Sequence, residues 1–188
     1  EEKNGGYIRL MIARCGRRNY FLSKYIAVFL SGALAMVIPL IFSFLISALY
    51  FPAVLPSPIY CTTNGIFYDS LMSTVYYTVP LLYVFIYLCV DFIFGGLIAC
   101  VSYVCSCFVK YSVVAVILPL FLLLAFHYIR QFVYVSPAIR YKEISPLYFL
   151  RPVQVTYSAS WTVILIEAIA LFLATVFLTL LWERRHEV

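Results

Sequence analysis

Apolar residues run through this chain in four long, nearly uncharged stretches, and the charged residues collect between them. Ile26 to Tyr50 carries no charge, Leu81 to Val109 carries one, Asp91, Ser112 to Tyr128 carries none, and Ser160 to Trp182 carries one, Glu167. A helix of about 20 apolar residues crosses a hydrocarbon layer of about 30 Å, so the pattern predicts spans over 26–50, 81–109, 112–128 and 160–182. Pro39 and Pro119 fall inside two of them, where lipid-embedded helices tolerate proline. The fourth span carries tryptophans near both ends. Trp161 and Trp182 lie 21 positions apart, about 31 Å along a helix, as interfacial indoles on the two sides of a bilayer would be.

The intervals between the spans have characters of their own. In 1–24, Ile8, Met11, Ile12 and Cys15 recur at helical spacing while Arg9, Arg14 and Arg17 lie off that stripe. A helix over Tyr7 to Arg18 is therefore expected to lie on the cytoplasmic interface, its cations toward lipid phosphates or a protein partner. Gly16 offers a bend into the first span, with Asn19 or Ser23 available as the cap. Phe51 to Leu71 is broken by Pro52, Pro56, Pro58 and Gly65 and reads as a loop. The 129–159 interval is too charged to cross but holds "ISPLYFLRPVQV", too apolar for a free loop. It is expected to form short re-entrant helices capping the bundle from outside. The fold class is all-α: a polytopic membrane helical bundle in a single domain, 1–188, without internal repeats.

Composition removes the soluble alternative. Hydrophobic residues make up 65% of the 188 and charged residues 11%, and mean hydropathy is +1.00, far from the balance of a water-soluble domain. In such a chain the net charge of +5 reports orientation, not a nucleic-acid partner. Lys3, Arg9, Arg14, Arg17, Arg18, Lys24, Lys110, Arg184 and Arg185 fall on one side of the four spans and Arg130, Arg140, Lys142 and Arg151 on the other. The majority side is expected to be cytoplasmic, which puts both ends of this sequence inside, in the cell membrane. Cys89, Cys100, Cys105 and Cys107 lie in apolar sequence and read as small packing residues, and no spacing suggests a metal site.

Candidate chemistry is sparse. A carboxylate in hydrocarbon costs at least about 2.5 kcal/mol on insertion scales, so Asp91 and Glu167 should face protein or water. With His127 they are the candidates for a transport pathway or for polar packing. Gly95 and Ala99, with Gly96 beside them, make a small-residue step where another helix can approach closely. No phosphate-binding loop, H-E-x-x-H or G-x-S-x-G occurs, so no catalytic residue is assigned and the chain is not read as an enzyme.

One ordering of parts carries more. An acidic pair, Glu1 and Glu2, is followed by Gly5 and Gly6, Tyr7, the basic amphipathic helix, and "NYFLSKYIA" leading into a span. This resembles the membrane subunits of type-2 ATP-binding-cassette exporters, in which an acidic residue, a glycine and an interfacial coupling helix precede a Y-F-L-x-K entry into the third of six helices. The matching residues are Glu1 or Glu2, Gly5, Tyr20, Phe21, Leu22 and Lys24. The resemblance implies a permease subunit working as a dimer, with two helices upstream of Glu1. Glu2, Tyr7, Arg9, Arg14, Arg17 and Arg18 would then couple it to a cytoplasmic nucleotide-binding ATPase subunit. ATP and Mg would be held by that partner and no cofactor by this chain. The cargo expected is hydrophobic or amphipathic: a lipid-like compound, drug or peptide. The rival expectations are an ion channel and a membrane assembly or immunity subunit without transport.

Overall fold

A computed structural model describes residues 14, 16–109, 111–132, 142–153 and 158–185. Four long helices dominate: α1 (Arg17–Tyr50), α4 (Pro80–Phe108), α5 (Ser112–Phe132) and α7 (Trp161–Arg185). Between α1 and α4 come a 3-10 turn, Pro58–Tyr60, and the short helices α2 (Cys61–Asn64) and α3 (Ser73–Thr78). Between α5 and α7 lie β1 (Lys142–Glu143), the single turn α6 (Pro146–Phe149) and β2 (Ser158–Ala159), the two strands pairing in parallel.

The fold is all-α. Three of its helices, over Arg18–Tyr50, Pro80–Phe108 and Trp161–Leu181, are long and apolar enough to cross a membrane. In α5 the apolar stretch is shorter, Val113–Tyr128. Large side chains such as Leu34, Ile38, Leu45, Leu49, Phe85, Ile166 and Phe177 stand exposed along the long helices, an arrangement compatible with an integral membrane protein, in which lipid covers them.

Hydropathy located the helices better than their ends. α1 begins nine residues before the predicted span, because backbone hydrogen bonding continues through Arg17–Lys24 although that stretch carries three cations. Its N-cap is Gly16, at φ 76, a conformation that glycine adopts without a Cβ penalty. Asn19 and Ser23 do not cap it: both lie inside the helix, and the Ser23 hydroxyl donates back to the Tyr20 carbonyl at 2.9 Å. Pro39 is likewise internal. Helix α4 starts on Pro80, whose missing N–H costs nothing in a first turn. Helix α5 continues to Phe132, past the predicted end at Tyr128.

Helix α4 is the hub. In its most apolar window 44% of residues are buried, against 11% in those of α1 and α7, so the other helices pack around it. The closest approach is its seam with α1. A Cβ placed on Gly32 would collide with that of Ala99 and stand 3.0 Å from the Gly95 carbonyl oxygen, and one on Gly95 would stand 2.9 Å from the Met36 Cβ. A Cβ on Gly96 would meet the Phe29 ring at 2.5 Å. Gly95, Gly96 and Ala99 thus lie against α1 of the same chain, with Gly32 as the facing small residue.

Helix α7 joins the pair at two levels. Phe94 and Phe149 pack edge to face at 5.1 Å, and with Ile164 they form a buried cluster that ties α6 to α4 and α7. Farther along, the Tyr25 hydroxyl lies 2.9 Å from Thr175 Oγ1 in a buried contact between α1 and α7. Thr175 Oγ1 also lies 2.9 Å from the Leu171 and Phe172 carbonyls, and either hydroxyl of the Tyr25–Thr175 pair can donate to the other. Tyr25→Phe is expected to lower stability by about 1 kcal/mol, the usual net contribution of one hydrogen bond. Thermal unfolding in detergent micelles measures it, and an unchanged midpoint would mean that the contact adds nothing.

Candidate functional site

The connection between α1 and α4 builds a wall at one end of the bundle. Gly65, at φ 67, closes α2, and a Cβ there would meet Val153 Cγ1 at 2.5 Å, so the turn sits directly on the segment after α6. Ile66 is buried with Tyr83 and Tyr87, and Leu71, Met72, Val75, Tyr76 and Tyr77 pack around them. The Tyr77 hydroxyl donates to the Ile66 carbonyl at 2.7 Å, and desolvation, with Cys61 nearby, raises its pKa above the ordinary tyrosine value. Tyr83 donates to the Pro152 carbonyl at 3.2 Å. The first bond closes the loop wall on itself, from α3 to Ile66, and the second fastens the α6 segment to the start of α4.

Inside this wall lies a cleft of about 600 Å3 between α1 and α4. Met36, Leu40 and Phe44 of α1 form one side, Tyr83, Val84, Tyr87 and Leu88 of α4 the other, with Tyr76, Leu147 and Leu150 above them. Asn64 at the end of α2, Ile66 beyond it, and the exposed Arg151 with Pro152 and Val153 after α6 complete the lining. Asp91 also lines it, 11 residues along α4 from Pro80, about 17 Å at the rise of a helix. Its side chain is 6% exposed and its buried Oδ1 accepts no hydrogen bond. A buried carboxylate oxygen without a donor is costly and calls for an explanation at the site.

Three tyrosines accompany it. The Tyr76 and Tyr83 rings meet edge to face at 5.2 Å, and the Tyr83 and Tyr87 rings lie 4.8 Å apart, tilted by 48°. Tyr83, Tyr87 and Asp91 fall at i, i+4 and i+8, on one face of α4. That spacing is present in the sequence, where no charge or motif marks the two tyrosines as belonging with the acid.

Glu167 lies elsewhere. It lines a separate apolar cavity of about 310 Å3 between α4, α5 and α7, with Ile98, Val101, Pro119, Phe126 and Leu171 among its neighbours. The two acids therefore do not share a cavity. The His127 ring stacks at 5.1 Å on Tyr148, and its Nδ1 is buried without a hydrogen-bond partner. Among the described residues no group of three His, Cys, Asp or Glu side chains is placed to hold a metal ion, and Cys61, Cys89, Cys100, Cys105 and Cys107 form no disulfide among those residues.

Of the basic elbow, Glu2, Tyr7 and Arg9 lie outside the described residues. Arg14 and Arg18 are exposed, Arg17 opens α1, and the Lys24 ammonium sits 5.7 Å above the Tyr20 ring. Fold and cleft together define an all-α bundle, compatible with an integral membrane protein, with an acid-containing recess between two of its long helices. No protein-family model matches the chain, and no curated protein or solved structure matches it either.

Proposed function

We propose that the chain is the membrane-spanning permease subunit of an ATP-binding-cassette exporter. It crosses the cell membrane four times, with both ends of this sequence cytoplasmic, and pairs with a second copy. It moves a hydrophobic or amphipathic compound by alternating access, driven by ATP hydrolysis on a partner ATPase subunit. The observation that carries a transport role is the cleft beside Asp91. A recess lined by aliphatic and tyrosine side chains, with one buried acid, suits transient occupancy by a molecule that is largely apolar. The order of acidic pair, glycines, basic amphipathic segment and Y-F-L-x-K entry supports the choice of motor. A helix lying on the interface can transmit a push because its ends cannot move independently. An ion channel is less favoured, since Asp91 and Glu167 line different cavities and do not form one polar path.

The test uses the natural full-length protein, tagged and isolated from its own membrane in mild detergent. A nucleotide-binding ATPase is expected to accompany it, as a separate chain or a fused domain. Changing Arg14, Arg17 and Arg18 together to Gln is expected to weaken that association by about threefold to a hundredfold, because exposed ion pairs contribute about 0.2–1 kcal/mol each. A preparation that holds no such ATPase and binds none overturns the permease assignment.

A further inference from the structure

The acid at the base of the cleft has its complement in the rings beside it. We infer that the recess between α1 and α4 is a binding site for an amphipathic organic cation, a protonated amine on an apolar body, with its ammonium at Asp91 and its body along Met36, Leu40 and Phe44. This deepens the permease reading and rests on it for the cargo class; binding itself requires no motor.

Three observations converge on this ligand chemistry. Asp91 is 94% removed from solvent, being 6% exposed, and Oδ1 has no donor, so an N–H of the ligand would supply both the missing hydrogen bond and the opposite charge. Tyr83 and Tyr87 stand on the same face, one and two turns before it. Their rings, with that of Tyr76, give the electron-rich surfaces that attract a cation within about 6 Å. The remaining walls are mostly apolar, and the volume of about 600 Å3 is that of a site for an organic molecule and far larger than a bare metal ion needs. Arg151 is the opposing charge in the lining. It is exposed, so solvent and salt screen it more than they screen the buried acid. An anionic ligand would find one exposed guanidinium and a buried like charge.

The probe is monodansylcadaverine, a fluorescent amine with an apolar body, titrated at neutral pH into the purified complex in lipid nanodiscs without nucleotide. Saturable binding is expected, and the N-acetylated probe, identical but uncharged, is expected to bind at least about tenfold more weakly, the scale of a hydrogen bond to a charged group. Asp91→Asn should weaken the amine by a similar factor, whereas Glu167→Gln, in the other cavity, should leave it unchanged. Equal binding of the amine and its acetylated form by the unaltered protein overturns the assignment whatever the variants do. Equal binding of the amine by a folded Asp91→Asn protein overturns it too. Either result leaves the permease proposal standing if the ATPase is present, and loss of the ATPase with amine binding retained separates the two in the other direction.

Discussion

Phe149→Ala is expected to remove about 3–5 kcal/mol of stability, the cost of deleting a buried phenyl ring and leaving a cavity that the surroundings fill only in part. The ring is 1% exposed, it packs edge to face on Phe94, and Ile164 of α7 completes the cluster. Nothing else in the 142–153 segment is as large and as deeply buried. Its loss should therefore loosen α6 from α4 first and the bundle afterwards. Thermal unfolding in nanodiscs measures the loss, and Phe149→Leu, which keeps much of the volume, should recover more than half of it. A midpoint unchanged by the alanine would show that α6 does not anchor the segment.

The second large effect lies in the α1–α4 seam. Gly32→Ala is expected to destabilise by about 1–3 kcal/mol, because the added methyl collides with the Ala99 methyl and approaches a main-chain oxygen, neither of which can swing aside. Gly96→Ala should cost less. Its obstacle is the outer edge of the Phe29 ring, which can rotate, and alanine in a helix interior recovers about 0.5–1 kcal/mol relative to glycine. Measured side by side, the order Gly32 before Gly96 is the prediction, and the reverse order would place the tight contact elsewhere.

Where the helices run could be read from the chain because a nearly charge-free run of membrane length has few alternatives; Leu81 to Val109 and Pro80–Phe108 differ by one residue at each end. The start of α1 could not, since hydropathy falls at Lys24 while the helical hydrogen bonds continue to Gly16. The seam was half visible. Gly95 and Ala99 advertise a narrow face, but the identity of the helix that covers it depends on a pairing between distant segments, here through Gly32 and Met36. The cleft shows the same division. Asp91 was a candidate by its charge alone, and the tyrosines at four-residue intervals before it lay on the page, whereas Tyr76, Leu147 and Arg151 reach the same recess only through tertiary folding. The apolar character of "ISPLYFLRPVQV" suggested burial, yet only the packing identifies Phe149 as the large side chain that joins the buried cluster with Phe94 and Ile164.

The seam joins the first long helix to the next one made, and this orders events at the ribosome. Both faces of the α1–α4 hairpin exist before Trp161 is translated, so the pair can close while α7 is still being polymerised. Thr175 then arrives at a surface on which Tyr25 already waits with its hydroxyl. The late helix docks onto a finished template, and a nascent chain arrested before α7 should already shield the native Cys100, buried against the Tyr25 carbonyl of α1, from a thiol reagent.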